Sequence, residues 1–502
     1  MKKILLLLVT ILPSFWAVAQ DDGAWNDFLQ RRNFNEYKQQ REATLQAYKD
    51  SINKAFAAAV EKRWEEYQVF VGQRRPVKPE PEMLPVAPKD TVSKESVSLP
   101  IDKIISLPES SSGNNLDSES RDLSDLLLQE ASYLHIDVDF YNRNLQFDVP
   151  ATSENFSLIG VSEKSVSKFW TDLSDSGFDY CLNQLKEHKK QFHLNDWAVY
   201  EVTNSIARKT FPGKYAEQTI FVVFLLNQIG LDAKIGRTNN QLLVLIPTKT
   251  TLYSVSYVRC NNETYYIYSC YPNEQSGQSA ISTYPVSFPA PTSPLDLNID
   301  EPIRFDYRPS EITYISDFWG DAVPFKVNQN AIDFYSRYPQ VDVVIYANAE
   351  MSEELKLWAE KQIKPFLDDL DMFEAVNVLL YYVQTEFDYA TDQQQFGYEK
   401  PFFCEENFYY AKNDCEDRAI LFSYLIRNLV KTPIVLLDYP DHIATAVAFE
   451  DDSKIKGDYY LIDGRKFYVC DPTYIGANIG ETMPQYRSVG ANVIKLKNQI
   501  IK

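Results

Sequence analysis

Apolar residues recur at steps of three or four from Leu45 through Tyr48, Ile52, Phe56, Val60 and Trp64 to Tyr67. That is the period of a helix with one apolar stripe, and it predicts a helical segment over 20–73 that docks on its own protein or on a partner. From Ser352 on, SEELKLWAEKQIKPFLDDL and FEAVNVLLYYVQTEF carry the same period. So does KNDCEDRAILFSYLIR, from Lys412 to Arg427. TPIVLLDY, HIATAVAF, YYLI and FYVCD then follow as short β-branched and aromatic runs, the pattern of strands. Helices first and an antiparallel sheet afterwards predict an α+β domain over 348–502. Between 286 and 347, RFDYRPSEITYI and VDVVIYA predict a mainly β connecting region.

Other stretches lack such periods. PVKPEPEMLPVAPKD and ESSSGNNLDSES fall in 74–122, which reads as disordered linker because it has little apolar surface to bury against the entropy of ordering. A second proline cluster, YPVSFPAPTSP at Tyr284 to Pro294, marks a boundary. The first residues, MKKILLLLVTILPSFWAVAQ, combine two lysines, a short apolar run and Ala17-Val18-Ala19. They read as a signal peptide over 1–19, so the protein is expected to be exported to the periplasm or beyond. No later apolar run is long enough to cross a bilayer, so no integral membrane segment is expected.

Charge narrows the partners. A formal net charge of -20 argues against nucleic acid and anionic membrane surfaces, both of which require basic patches. Six cysteines in 502 residues are too sparse for a disulfide scaffold, and no pairing is expected. With no CxxC or HExxH spacing, no metal or cofactor is implied.

Chemistry gathers around Cys415. Cys415, Ala419, Phe422, Leu425, Ile426 and Leu429 share one helical face, and Asp414 is placed to cap the helix. A helix N-terminus favours a thiolate, whereas the adjacent Asp414, Glu416 and Asp417 oppose it, so a nucleophile here needs an imidazolium. Of the four histidines only His442 lies downstream of residue 200, at the start of HIATAVAF. Asp471, in CDPTY, is placed to orient the ring. Asp463, in the hairpin signal Asp463-Gly464, is the alternative carboxylate, because a simple meander would put Asp471 at the wrong end of the sheet.

Asp414-Cys415, Asp417, Ala419, Leu421-Phe422, Leu425 and Arg427, followed by His442 and Asp471-Pro472-Thr473, resemble the transglutaminase-like family of papain-related cysteine enzymes. The resemblance covers about Phe373 to Tyr486, and YIGANIGETMPQY is similar to secreted members from Bacteroidetes-type bacteria. It implies Cys415 as nucleophile, His442 as base and acid, and Asp471 as the orienting group. Many members carry a tryptophan two residues after the histidine, where this chain has Ala444. An oxyanion hole would use the Cys415 N–H and a second donor, for which the loop with Tyr409 and Tyr410 is one source.

A shift of 200 residues lays FVVFLLNQIG over LFSYLIRNLV, and IYSCYP over FYVCDP. This suggests that 123–285 is a degenerate copy of the same fold, with Tyr215, Leu242 and Tyr271 in place of Cys415, His442 and Asp471. The second copy gains about twenty residues before its cysteine, in the YATDQQQFGYEKPFFCEEN region, an insertion able to roof a cleft. The expected function is a cysteine peptidase or amidase acting on protein or peptide through a thioester. The alternatives are a protein-glutamine transglutaminase and a non-catalytic peptide- or glycan-binding protein.

Overall fold

In the computed structural model, which describes residues 34–62, 64–66, 84–88, 96–106, 132–238, 240–272, 280–316, 318, 323–410, 412–453 and 455–497, the chain is α+β and builds two six-stranded sheets with helices packed on them. The leader read over 1–19 lies outside these residues.

The second sheet carries Ile434–Tyr439, His442–Ala448, Tyr459–Ile462, Arg465–Cys470 and Ala491–Lys495. Numbered along the chain, these five strands lie in the spatial order fifth, first, second, fourth, third, all antiparallel to their neighbours. Every residue of His442–Ala448 is buried. Val447 packs toward the helices, while Ala444, Ala446 and Ala448 face Tyr474, Met483 and Tyr486 on the other side. Burial on both faces explains why this strand reads as a continuous apolar run rather than an alternating one.

The turn at Asp463-Gly464 forms as the sequence suggests, with φ of 51° and 79°. The topology around it is not a simple meander. After Ala448 the chain crosses to the sheet edge, lays down Tyr459–Ile462, and returns with Arg465–Cys470 between the two. Cys470 thus sits opposite Thr445, and Asp471 arrives at the His442 end. The crossing brings two backbones together: a Cβ on Gly457 would stand 2.5 Å from Gly480, and both glycines have positive φ.

The first sheet repeats this plan. Lys234–Arg237, Leu242–Pro247, Tyr257–Cys260, Glu263–Tyr268 and Ser282–Thr283 take the same spatial order, fifth, first, second, fourth, third. Each sheet carries a buried helix just ahead of its first strand, Tyr215–Gln228 in one case and Cys415–Leu425 in the other. Each has a second helix behind that one, Asp196–Thr210 and Met372–Glu386.

Three expectations are corrected. Parts of the proposed linker are ordered: Ile101–Ile105 adds to the second sheet as an edge strand parallel to Ala491–Lys495, and single bridges join Val86 to Ile475 and Ser98 to Tyr459. Ala87 and Leu99 then cover the sheet's outer face, so this chain gains its order from a neighbouring edge rather than from a core of its own. The 286–347 region is not mainly β, since among the described residues its strands are Tyr314–Ser316 and Val323–Phe325. VDVVIYA instead yields the buried helix Val343–Asn348; a five-residue apolar run fits either period until packing decides.

The helix Phe34–Val60 docks on its own chain. Phe56 packs on Trp170, Tyr284 and Phe288, and Asn53 accepts hydrogen bonds from Trp170 and Gln228. Tyr48, on the expected stripe, is half-exposed instead. Among the described residues, no helix is long and apolar enough to cross a membrane.

Candidate active site

Cys415 opens the helix Cys415–Leu425 and is 3% exposed. Asp417 closes the helix start by accepting the Asp414 N–H at 3.2 Å, and it takes the Phe402 N–H at 2.8 Å with its other oxygen. The Cys415 N–H lies in the first turn, where no intrahelical carbonyl is available to it. The thiol is hydrogen-bonded to Glu416 at 3.3 Å and also interacts with the ring of His442.

His442 opens its strand and Asp471 follows the strand beside it. Nε2 of His442 lies 2.9 Å from Oδ2 of Asp471, which leaves Nδ1 as the ring nitrogen open to the thiol. The other oxygen of Asp471 accepts the Thr473 N–H at 2.9 Å, so the Asp-Pro-Thr turn fixes the carboxylate's orientation. Gln384 adds a clamp from the Met372–Glu386 helix. Its amide donates to the carbonyls of Asp471 and Ala477, and its carbonyl accepts from Gly476. Burial works against a charged imidazole, but the Asp471 carboxylate outweighs it, with Cys415 adding to the effect; the ring is pushed up to about 10.

The three residues singled out from the sequence therefore stand in one chain of contacts. Asp463 does not join them, since it lies in the hairpin turn in an exposed ion pair with Lys495. The aromatic wall absent at Ala444 has a counterpart that sequence reasoning missed. Tyr486 stacks on the His442 ring at 5.2 Å and 12°, and on Tyr439 at 4.6 Å. Its hydroxyl donates to Asp441 at 2.9 Å.

Carboxylates crowd this point. Asp392, Asp414, Cys415, Glu416 and Asp417, with Glu399, form overlapping groups of three whose ligand atoms lie within 4.8 Å of one another. Arg418, fully buried, opposes their charge. Burial pulls its guanidinium down to about 10, against the charges of Tyr389, Asp414, Asp417 and Cys415. Its donors reach Asn413 at 2.9 Å and the carbonyls of Gln384 and Phe387. This buried cation is the part of the helix start that the DCEDR spelling understated.

The insertion before Cys415 is folded onto the site. Lys400 pairs with the buried Glu406 and stands over the rings of Phe402 and Tyr410 at 5.1 and 5.3 Å. Tyr410 is committed to that cluster, and Tyr409 packs edge-on against it. The charge of Cys415 acts on Tyr389, earlier in the insertion, as it does on Tyr486.

Glu399, Pro401, Glu416, Tyr439 and His442 line a cleft of about 710 Å³. Lys249, Thr250, Thr251 and Tyr253, which follow the second strand of the first sheet, line it as well. Leu297, Asn298 and 340–345 are also part of its lining, and Lys103 and Ile105 contribute from the added edge strand.

At the matching points of the first sheet, Tyr215 opens the helix, Leu242 opens the second strand, and Tyr271 follows the fourth. The rings of Tyr215 and Tyr271 meet at 5.3 Å, so phenols and a leucine stand where the second sheet has thiol, imidazole and carboxylate. All six cysteines are unpaired. Comparison with family models, with curated proteins and with solved structures finds no significant match for this chain.

Proposed function

We propose that the protein is an exported cysteine hydrolase of transglutaminase-like type, a peptidase or amidase that acts through a thioester on Cys415. The observation that carries this reading is the buried Cys415–His442–Asp471 chain, with His442 facing a cleft large enough for a peptide segment. The thiol gives its proton to His442. The thiolate attacks the acyl carbonyl, and the imidazolium then protonates the departing amine. Water attacks the thioester next; His442 takes the water's proton, and the thiolate leaves. Asp471 holds the ring and stabilises its charged form throughout.

The shared strand order of the two sheets supports reading 123–285 as a duplicated, non-catalytic copy. Its residues Lys249, Thr250, Thr251 and Tyr253 on the cleft give that copy a role in holding substrate. A second reading, transfer to an amine, is favoured by one observation: the cleft that His442 lines carries Asp296, Asp342, Glu399, Glu416 and Asp438 against Lys103 and Lys249, an acidic balance that draws an ammonium group.

The test is the alkylation rate of Cys415 against pH, mapped by mass spectrometry, in wild type and His442→Ala. Fast modification well below the free-thiol value of about 8.5, lost in the variant, is the expected result. Ordinary thiol titration in both proteins would sink the reading and leave a binding protein. A primary amine added during turnover separates the two products.

A further inference from the structure

Tyr389 is tied to the start of the cysteine helix by its backbone. Asp388–Tyr389 pairs in parallel with Lys412–Asn413, which puts Tyr389 opposite Asn413, two residues before Cys415. The Ala390 N–H continues the bridge to the Asn413 carbonyl at 3.3 Å. Asn413 is itself fixed, accepting from Arg418 at 2.9 Å and donating to Asn407 at 2.8 Å. The Arg418 guanidinium stands 5.6 Å from the centre of the Tyr389 ring. The phenol is thus held between the buried arginine and the helix start.

Its hydroxyl is shielded from solvent and finds no hydrogen-bond partner among the described residues. A buried O–H without an acceptor costs free energy comparable to a lost hydrogen bond, so such groups invite an explanation. Burial first, then the charges of Cys415 and Asp414, push the phenol above its ordinary range, which keeps it an O–H donor at neutral and mildly alkaline pH.

We infer that Tyr389 is a catalytic residue whose phenolic O–H donates a hydrogen bond to the oxyanion formed when Cys415 attacks an acyl carbonyl. The backbone N–H of Cys415 is the other donor. The inference rests on the reading of Cys415 as nucleophile. In the step concerned, the Cys415 sulfur bonds to the carbonyl carbon and the C=O π pair moves onto oxygen. When the tetrahedral adduct collapses, the pair re-forms C=O, and the leaving group departs with a proton from His442 where it needs one. Tyr389 keeps its proton throughout and contributes only a positioned dipole. Such a donor acts on charge that appears in the transition state and is absent from the free thiol.

That difference provides the test. Full-length wild type and Tyr389→Phe are acylated with p-nitrophenyl acetate, and nitrophenolate release is followed in the pre-steady state. In parallel, Cys415 is alkylated with iodoacetamide, a displacement at saturated carbon that forms no oxyanion. The expected result is acylation slower by about 10²–10³-fold, with the apparent ester affinity unchanged. Alkylation should run at the wild-type rate and the thermal midpoint should not fall. Acylation at the wild-type rate in Tyr389→Phe would overturn the inference. So would a parallel loss of alkylation, which would place Tyr389's effect on the thiol. A wild type that alkylates fast but never acylates would remove the oxyanion role and leave the Cys–His pair standing. A wild type that does neither would overturn the reading of Cys415 itself.

Discussion

His442 and Asp471 meet at 2.9 Å through Nε2 and Oδ2, with both side chains almost wholly buried. The contact exists because Arg465–Cys470 is inserted between the His442 strand and the strand that precedes it in sequence. Asp471→Asn tests its consequence. Asparagine can still accept the Thr473 N–H but no longer stabilises an imidazolium, so the fold should persist. Acylation of Cys415 should fall by about 10³–10⁴-fold, by analogy with amide substitution in other triads. Acylation at the wild-type rate would deny Asp471 its role.

The same contact makes stability depend on pH in a definite direction. Asp471 raises the His442 value to about 10, against about 6.5 for an unfolded histidine. Protonation therefore favours the folded state. Its contribution is complete below about 6.5 and is lost as pH rises through about 10. The gap in denaturation midpoint between wild type and His442→Gln should be widest near neutral to mildly acidic pH and should close toward pH about 10. A gap that does not change with pH would contradict the shift.

Tyr486 should act by stacking rather than through its hydroxyl. Tyr486→Phe keeps the ring on His442 and gives up only the bond to Asp441, so it should retain most activity. Tyr486→Ala removes the ring and leaves a gap beside Tyr439. A loss of about 3–5 kcal/mol in stability is expected from cavity formation at a buried aromatic, together with slower alkylation of Cys415. Equal behaviour of the two variants in denaturant melts and alkylation would argue against stacking.

Gly480→Ala should destabilise the second sheet without touching the site. A Cβ there would meet the Gly457 backbone at 2.8 Å, at a φ of +85°. The cost should exceed the roughly 0.5 kcal/mol of an ordinary surface change and reach about 1–3 kcal/mol. Urea melts measure it; an unchanged midpoint would mean that the crossing can open at little cost.

Residues of the first sheet's half should alter substrate binding and not chemistry. Thr251→Trp narrows the cleft at a lining residue of the first sheet's half, so KM for a peptide substrate should rise while Cys415 alkylation stays at the wild-type rate. A fall in kcat with unchanged KM would place the effect on the reacting centre instead.

The α+β class, the cysteine helix, the strands behind it and the Asp463-Gly464 turn follow from local information. Periodicity, a cap and a turn pair each act within a few residues. The positions of Cys415 and His442 are likewise written in the chain, because two rare residue types stand at element boundaries. The Asp-Pro-Thr match favours Asp471, but that Asp471 rather than Asp463 meets His442 is not a local matter. It depends on which strand lies between which, and that is set by the two-glycine crossing at Gly457 and Gly480 and by burial on both faces of the sheet. Tyr486, Tyr389 and Arg418 were silent in sequence for the same reason. Each reaches its partner through packing between separate elements, and a stacked ring, an unpartnered phenol or a buried guanidinium leaves no periodic mark. The strand Ile101–Ile105 and the helix Val343–Asn348 show tertiary context overriding composition: a sheet edge ordered the one, and burial chose the period of the other.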